Sequence, residues 1–569
     1  MMLITQSLVQ FLTRLQNDEL QKDLVSENLL RRKIPYVLLD IFTRMMTSQL
    51  VDGSWDLKCE VTAYSVLTLE PFLILPWPES LKAEGISSID RGKAYLDRNQ
   101  RLWTQGSYLW IEKVVYASRN LSQAYCLSAS KVNVPSFHLT INQLCCQTQE
   151  KITSFKNFFT KLPLFSDTPS WNLDSSLLQS IQFVPLLKEY GSEIFPPMKK
   201  TSNEEYLDYI PFTWIGCKNQ CLTQIPTDRI WEMMVISKLN FQVDAYMETV
   251  LEELYRNNLE ALKAVVQRLC EPQSQRNIPP LQDRFDMKKV PGSSQKIPND
   301  PESERGTDCE PLGHFLGIET ELEHKEAKFA APFKDAEEVL RKFITHVLQH
   351  PNVLQSHPCL QIWLRYELKT FLLAHITQIE DCASMSKGAD ITSAILTLKS
   401  PCSTYYNWAR STGANHTSCP YSFVFYLCLI GKPKVDWIAS THRRYVLEDA
   451  CHHLAAMCRQ YNDFGSVGRD RQEQNLNSIN FPEFQNPDGE GSSGLEEIQN
   501  SRKKDLLKIA EYERRCLSAV LSELEWDLDL DSVSKLKLFI CVTDLYGQIY
   551  VAKDIGIRKV DNSISQGEK

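Results

Sequence analysis

Apolar residues recur at helical spacing along most of the chain, and this pattern limits the possible folds more than any other feature. The spacing i, i+3, i+4, i+7 of a single helix face is seen at Leu8, Phe11, Leu12 and Leu15. In a second segment, Val235, Leu239, Val243 and Met247 recur every fourth residue. Runs that alternate apolar and polar residues, as a half-buried strand would, are scarce. The sequence therefore predicts an all-α protein.

Composition and charge exclude several classes of protein. The 569 residues include 62 Lys and Arg and 71 Asp and Glu, a net charge of −9, so a cationic surface for nucleic acid is not expected. The first residues lack the pattern of a secretory signal, and no apolar run reaches the roughly 18 residues of a membrane span. The 17 cysteines show no zinc-binding spacing, which indicates reduced thiols in a cytoplasmic protein.

Composition also divides the chain. Residues 271–317 are rich in Pro, Ser and charged residues and poor in large apolar ones, which predicts a mobile insert. Between about residues 130 and 160, a part rich in Trp, Tyr and Gly gives way to longer helices. The predicted organisation is an N-terminal unit over residues 1–135 and a helical domain over residues 150–569 that contains the insert.

The stretch NFQVDAYMETV places Asp244 and Glu248 four residues apart. On a helix this spacing brings both carboxylates to one face, where they repel each other unless a cation offsets them. Such pairs usually lie on a solvated face. Here Phe241, Val243 and Met247 flank the pair, and an acidic pair within an apolar stretch favours a divalent cation in a lined cavity.

A second stretch, RQYNDFGSVGRD, carries Asn462, Ser466 and Asp470 at successive intervals of four residues, with Arg459 three residues before Asn462. One helix would present these side chains as a stripe. Amide, hydroxyl and carboxylate oxygens are ligands that Mg²⁺ accepts. A merely polar helix face is the alternative, and it weakens when the stripe is set beside the acidic pair.

Two such helices facing one pocket could hold several Mg²⁺ ions on a substrate's phosphates. The metals and Arg459 would then stabilise a departing diphosphate. The carbocation left behind needs aromatic faces and the exclusion of water. Each aromatic ring taken singly is more often a core residue, but aromatic residues are dense near both stretches. The candidates for substrate contact are Phe212, Trp214, Tyr405 and Trp408.

These residues resemble those of a known family. DAYME (Asp244–Glu248) resembles the aspartate-rich motif of class I terpene synthases, and NDFGSVGRD (Asn462–Asp470) resembles their second metal motif. The phrases PFTW, GANHTSCPYSF and NLNSINFPEF are similar to the class I half of fungal bifunctional copalyl diphosphate/ent-kaurene-type diterpene synthases. DGSWD (Asp52–Asp56) and YLWIEKVVYAS resemble the end of the class II half.

The resemblance implies a class I terpene synthase helical bundle preceded by a partial (α/α) barrel remnant. It implies that Asp244 and Glu248 on one helix, and Asn462, Ser466 and Asp470 on the other, bind three Mg²⁺ ions, with Arg459 gripping the diphosphate. The implied activity is that of a carbon–oxygen lyase. It would ionise copalyl diphosphate and cyclise the cation to a polycyclic diterpene such as a kaurene-type product. A separate class II cyclase is a possible partner.

Three departures from the family pattern stand out. Ala245 replaces a usual second acid, and Asp470 replaces a glutamate. The D-x-D-D motif of class II cyclisation does not occur in the sequence, and DLDLD (Asp527–Asp531) is expected to be an exposed helix end or loop. The N-terminal part would then lack its catalytic acid, and its tryptophans would be packing residues: Trp55, Trp103 and Trp110.

Two other functions stay open at this point. An isoprenyl diphosphate chain-elongating transferase uses the same metals on a related helical fold, but normally shows two aspartate-rich motifs. A catalytically degraded paralogue that serves as a scaffold is favoured modestly by Ala245 and by the missing class II acid.

Overall fold

The computed structural model is all-α, which confirms the predicted fold class. It describes residues 1–559 apart from 22, 24, 107–108, 112–113, 134–138, 140–148, 198–200, 203, 272–315, 389–396, 399–400, 432–436, 486–493 and 557. Except at its ends, the predicted mobile insert lies outside the described residues. Much of the predicted boundary region also lies outside them, so the division at residues 135–150 stays a prediction.

The N-terminal part of the chain consists mainly of helices. Helix α1 spans Met2–Gln16, α2 Ile34–Ser48, α3 Cys59–Leu69, α4 Glu79–Arg98 and α5 Arg119–Ser130. A π-helix precedes α2 and two 3₁₀ helices follow α3 and α4, at Leu29–Lys33, Glu70–Ile74 and Gln100–Leu102. Strands β1 (Leu109–Ile111) and β2 (Val114–Tyr116) form a short antiparallel hairpin before α5.

The middle of the chain continues the helical pattern. Helix α6 spans Gln149–Phe159, α7 Ser170–Ile181, α8 Val184–Glu189, α9 Tyr206–Gln220, α10 Thr227–Tyr246, α11 Glu252–Tyr255 and α12 Leu259–Cys270. A 3₁₀ helix at Pro163–Phe165 precedes α7, and a π-helix at Met247–Leu251 joins α10 to α11.

The C-terminal part contains the longest helices. Helix α13 spans Leu316–Leu348, α14 Pro351–Gln355, α15 Pro358–Gly388, α16 Tyr405–Arg410, α17 Thr412–Asn415, α18 Cys419–Ile430, α19 Thr441–Glu473, α20 Leu495–Asp527 and α21 Leu530–Ala552. Two 3₁₀ helices follow α19, at Ser478–Asn480 and Pro482–Phe484. Strand β3 (Thr201–Ser202) pairs antiparallel with β4 (Arg558–Lys559), which brings the chain beyond α21 next to the start of α9.

Helices α18 and α19 lie at the centre of the C-terminal part. Every residue of α18 is buried, as expected for a helix that is apolar on all sides. Helix α19 packs against α17, α18, α20 and α21. Helix α18 also packs against α10 and α15. This arrangement places α10, α15, α19 and α21 around the cavity described below. Among the helices described, none is both long and apolar enough to cross a membrane.

The N-terminal helices share a hydrophobic core with the rest of the chain. Helices α2 and α4 pack on α7, and the Thr43 and Ser175 hydroxyls are 2.8 Å apart across the α2–α7 contact. Trp55 and Trp103 are buried packing residues whose indole N–H groups donate hydrogen bonds to backbone carbonyl oxygens. The side chain of Trp110 lies outside the described part of the structure.

The acidic residues of the cluster at 527–531 form ion pairs and an N-cap hydrogen bond near the ends of helices. Asp527 pairs with Arg443, Asp529 accepts the N-cap hydrogen bond from the Ser532 backbone N–H, and Asp531 pairs with Lys535. These are local roles on the protein surface, as the sequence predicts for this cluster.

Candidate active site

A cavity of about 460 Å³ lies among α10, α15, α19 and α21. This volume is within the roughly 300–1,000 Å³ usual for small-molecule sites. Its polar lining includes Asp244, Glu248, Arg256, His375, His416, Arg459, Asn462, Arg469 and Asp470. Its apolar and aromatic lining includes Trp214, Met233, Phe241, Phe539, Val542, Tyr546 and Tyr550. This combination suits a ligand with a charged head and a hydrocarbon body.

The acidic pair lines the cavity, as its four-residue spacing predicts. Asp244 lies in the last turn of α10, and Glu248 lies in the π-helix that follows. Single π-helical turns occur frequently at functional sites. The two side chains keep 40% and 26% of their exposure. Both carboxylates are therefore accessible from the cavity.

The predicted stripe on α19 is largely present. Arg459, Asn462 and Asp470 line the same cavity as the acidic pair. Ser466 is buried and is not part of the cavity wall; its hydroxyl donates a hydrogen bond to Asp470 Oδ2 (2.6 Å). In this structure Ser466 therefore holds the carboxylate of Asp470 instead of presenting its own oxygen to the cavity.

Asp470 is held in a buried, polar environment. Its Oδ2 also accepts a hydrogen bond from the side-chain amide of Asn477 (2.7 Å). Burial raises the pKa of the Asp470 carboxyl to about 7; neighbouring Arg469 opposes this rise and Asp463 adds to it. A divalent cation in the cavity would favour the ionised form of this carboxyl.

Arg459 is fixed by contacts on several sides. Its Nε donates to Asp463 (3.0 Å) and its Nη2 to the carbonyl oxygen of Leu476 (2.7 Å). Its Nη1 lies 3.3 Å from Nδ1 of His416. The guanidinium carbon lies 4.9 Å from the ring centroid of Trp408, a cation–π contact. The side chain is therefore preorganised at the cavity wall.

The sequence reasoning missed two further cationic side chains of the cavity, Arg256 and Arg469. Arg469 pairs with Asp554 just beyond α21 (3.0 Å), and both side chains are nearly buried. It immediately precedes Asp470, so a search for residues at intervals of four passes over it. Guanidinium groups form strong, charge-assisted hydrogen bonds with phosphate oxygens, so both arginines are candidates to bind an anionic head group.

Two histidines, also missed in the sequence, lie between the acidic pair and Arg459. His375 of α15 is buried, and its Nε2 is 3.1 Å from Asp244 Oδ1. His416, just after α17, has its Nε2 3.7 Å from Glu248 Oε1. The two imidazole rings are 4.1 Å apart. Burial lowers the pKa of His416 well below its usual value, and His375 and Arg459 lower it further, so this imidazole is neutral.

The predicted aromatic residues divide between the cavity and other packing sites. Trp214 lines the cavity, and its indole N–H donates to the Ser237 hydroxyl (3.0 Å). Phe212 is not among the residues of the cavity wall; it stacks on Phe159 with ring centroids 3.9 Å apart. It lies two residues before Trp214, a rotation of roughly 200° around the helix, and so faces away.

Tyr405 and Trp408 also lie outside the cavity wall. They pack in a second hydrophobic cluster with Phe481 and Phe484, beyond Arg459. Trp408 therefore contacts the guanidinium of Arg459 without lining the cavity itself, so it reaches the site only through Arg459. Besides Trp214 of α9, the aromatic wall comes from residues on α10 and α21, namely Phe241, Phe539, Tyr546 and Tyr550.

The donor chemistry of the cavity fits magnesium. The carboxylates of Asp244, Glu248 and Asp470 and the amide of Asn462 are oxygen donors of the kind that Mg²⁺ prefers. Within the described residues, Glu248, His375 and His416 also bring one potential ligand atom each within 4.8 Å of one another. The sequence-predicted ligands thus lie in one cavity, apart from Ser466.

Several curated proteins similar to the chain are fungal diterpene synthases. The chain is 32% identical over 540 residues to a pimaradiene synthase of Emericella nidulans, and the alignment covers 92% of this chain and 52% of that protein. It is 31% identical over 541 residues to an ent-kaur-16-ene synthase of Fusarium fujikuroi, with the same coverage. A phyllocladan-16-alpha-ol synthase of Phomopsis amygdali is 28% identical and covers 98% of this chain and 55% of that protein.

The chain is a homologue of the fungal diterpene synthases. It spans about half the length of the curated relatives that it matches. No protein-family model matches the sequence. The predicted resemblance to fungal diterpene synthases is thereby confirmed.

For a homologue of these diterpene synthases, Ala245 is the unexpected residue of the acidic motif. Ala245 lies between Asp244 and Glu248 in the sequence. It is buried and is part of the cavity wall. A methyl group at this position adds no ligand, but both outer acids still reach the cavity. The substitution therefore removes one carboxylate and leaves the pair on which the predicted metal site depends.

Proposed function

We propose that the chain is a Mg²⁺-dependent class I diterpene synthase that ionises copalyl diphosphate and cyclises the cation to a polycyclic, kaurene-type diterpene. One observation carries this proposal. Asp244 and Glu248 on one helix, and Asn462 and Asp470 on another, line a single cavity that also has an aromatic wall. The similarity to fungal diterpene synthases supports the same function.

Asp244, Glu248, Asn462 and Asp470 would hold the metal, with Ser466 supporting Asp470 through its hydrogen bond. When bound, Mg²⁺ neutralises charge on the diphosphate oxygens and so makes diphosphate a better leaving group. We expect three ions, as in the family that the two motifs resemble.

Arg459 and Arg469 bind the diphosphate in this proposal. The allylic carbon–oxygen bond breaks heterolytically, its electron pair leaves with the diphosphate, and the hydrocarbon becomes a carbocation. Arg459 is already oriented by Asp463 and by the carbonyl of Leu476, so little reorganisation is needed as charge develops. Arg469 is held in the same way by Asp554.

The aromatic part of the lining stabilises the cation after diphosphate departs. A cation over an aromatic face gains about 0.5–2 kcal/mol, and Trp214, Phe241 and Phe539 supply such faces at the cavity wall. The cation then rearranges and either loses a proton to give an alkene or captures water to give an alcohol.

Copalyl diphosphate has to be made by a class II cyclisation, which protonates an alkene with a carboxylic acid. The sequence contains no D-x-D-D motif. We therefore propose that a class II cyclase supplies the substrate.

We also propose that the protein acts in the cytoplasm. The cysteines of the described residues are free thiols, which supports this compartment.

The test is incubation of the purified protein with Mg²⁺ and one diphosphate at a time, followed by gas chromatography and mass spectrometry. The substrates are both enantiomers of copalyl diphosphate, geranylgeranyl diphosphate, and isopentenyl diphosphate with an allylic partner. A diterpene from one copalyl enantiomer supports the proposal. A longer isoprenyl diphosphate identifies a chain-elongating transferase. No product from any C20 diphosphate supports the scaffold alternative.

Variants connect the product to the cavity. Asp244→Asn and Asn462→Ala should remove turnover with little change in melting temperature, because both residues line the cavity without forming the core. Asp228→Asn is the matched control: it changes an exposed acid in the first turn of the same helix as Asp244. Equal losses of folding and activity in the Asn462 variant would argue against its role as a ligand.

A further inference from the structure

We infer that His375 and His416 are positioning residues that orient the Asp244 and Glu248 carboxylates for the metal and connect them to Arg459. This inference rests on the proposed function, because it assigns a role to neighbours of the proposed metal ligands. It concerns hydrogen bonds around the carboxylates, not additional metal ligands.

His375 meets Asp244 directly. Its Nε2 lies 3.1 Å from Oδ1, within hydrogen-bond range. An ionised carboxylate only accepts hydrogen bonds, so the imidazole proton lies on Nε2. The ring comes from α15, on a different side of the cavity from α10, and is fully buried. A buried, rigid donor of this kind restricts the directions in which the carboxylate can point.

The orientation of His416 follows from its contact with Arg459. A guanidinium only donates, so Nδ1 of His416 must accept from Nη1, and the proton of the neutral ring lies on Nε2. This Nε2 is buried, has no hydrogen-bond partner in the structure, and lies 3.7 Å from Glu248 Oε1. A side-chain shift of about 1 Å brings the two atoms into hydrogen-bond range.

The two histidines thus form a bridge between the two motifs. Arg459 on α19 contacts His416, which faces Glu248, while His375 packs against His416 and contacts Asp244. Hydrogen-bond partners of metal ligands commonly account for about 10–100-fold in metal affinity. The sequence gives no local sign of this bridge, because its members lie far apart in the chain.

The experiment is a titration of the protein with Mn²⁺ in the presence of inorganic diphosphate, followed by electron paramagnetic resonance. His375→Ala and His416→Ala should each weaken Mn²⁺ binding by about 10–100-fold. The conservative variants H375Q and H416Q keep a side-chain N–H and should recover most of that loss. They also keep the test valid if either alanine variant folds poorly. His442→Ala, which removes an exposed histidine of α19, should bind as the wild type does.

Turnover adds a second readout if the protein is active. Raising the Mg²⁺ concentration should restore the rate of the histidine variants, because they lose metal affinity and keep the catalytic groups. Unchanged Mn²⁺ affinity in both alanine variants would overturn the inference. Nitrogen couplings from imidazole in the spin-echo spectrum of bound Mn²⁺ would also overturn it, since the histidines would then be ligands.

The same titration separates this inference from the proposed function. Absence of Mn²⁺ binding by the wild type, or binding that Asp244→Asn leaves unchanged, would contradict the proposed metal site itself. Normal wild-type binding with unaffected histidine variants would contradict the bridge alone.

Discussion

At the scale of single residues, the cavity is organised by charge. Five carboxylates and three guanidinium groups line one space. Several of them are held by partners outside it: Asp470 by Ser466 and Asn477, Arg459 by Asp463, and Arg469 by Asp554. Most of these contacts fix a side chain before any ligand arrives. Such preorganisation is what a site needs when charge develops rapidly on a leaving group.

Asp470 should make metal binding depend on pH. Its carboxyl has a pKa of about 7 in the metal-free protein because it is buried. Below that pH a metal must displace a proton, so the affinity for Mn²⁺ should rise up to about tenfold per pH unit to pH 7 and level off above it. Calorimetry in two buffers of different ionisation enthalpy should detect the released proton. A flat affinity between pH 6 and 8 would contradict this role.

The same shift has a consequence for stability, with a defined sign. The folded-state pKa lies above the unfolded value of about 3.9, so the folded state favours the neutral carboxyl. Its stabilising contribution is complete below about pH 4 and is lost as the pH rises through about 7. Asp470→Asn should therefore raise the melting temperature of the metal-free protein at pH 8 and remove the pH dependence of metal binding.

At the scale of elements, the site depends on how closely α19 approaches α21. A Cβ atom added at Gly465 would lie 2.1 Å from the backbone oxygen of Tyr550, and one added at Gly547 would lie 2.5 Å from the ring of Tyr461. Both glycines remove bulk at the contact between the two helices. Their close approach places Tyr550 of α21 at the cavity that the α19 stripe lines.

Gly465→Ala should destabilise the protein, whereas Gly468→Ala should not. The first forces the backbones of α19 and α21 apart, and overpacking of this kind costs about 1–3 kcal/mol. The second adds a methyl group with no atom within 4 Å and improves helix propensity by up to about 1 kcal/mol. Thermal unfolding of the matched pair is the measurement. Equal melting temperatures would show that the helix contact is not as tight as described.

At the scale of the whole molecule, the N-terminal helices and the helices around the cavity form one packed structure. Lys218 of α9 is nearly buried and pairs with Asp40 of α2 at 2.7 Å. Asp40 is also paired with Arg44 on its own helix. The ion pair therefore crosses between the two parts of the chain at a site with little solvent.

Asp40→Asn should lower stability by about 3–5 kcal/mol, because it leaves the buried ammonium group of Lys218 without a counter-charge. The double variant that adds Lys218→Met should recover most of the loss, since it removes the buried charge as well. Unfolding monitored by calorimetry would measure both. A single variant as stable as the wild type would indicate that the two parts of the chain are not coupled through this pair.

Helical spacing was sufficient to predict most of the oxygen donors that line the cavity. Asp244, Glu248, Asn462 and Asp470 line the cavity because residues four apart share a helix face, whatever the helix packs against. Ser466 has the same spacing, but its hydroxyl donates a hydrogen bond to Asp470 and does not line the cavity. This orientation depends on local hydrogen bonds, which the spacing does not predict. The π-helix at Glu248 likewise has no evident signature in the sequence.

The contributions of distant segments could not be predicted from local patterns. A high density of aromatic residues does not tell which face of a helix meets the cavity, so Phe212, Tyr405 and Trp408 were grouped with Trp214 although only Trp214 lines it. His375 and His416 come from separate helical segments and meet only in the folded chain. Single histidines in helical sequence carry no sign of such a meeting.

The most direct test of the central claim is a crystal structure of the protein soaked with Mn²⁺ and inorganic diphosphate, with anomalous diffraction used to locate the metal. We expect anomalous peaks in the cavity, with ligands from both Asp244 and Glu248 on one side and Asn462 and Asp470 on the other, and diphosphate between them and Arg459. Metal bound outside the cavity, or held by one helix alone, would contradict the claim that the two motifs form one diphosphate-ionising site.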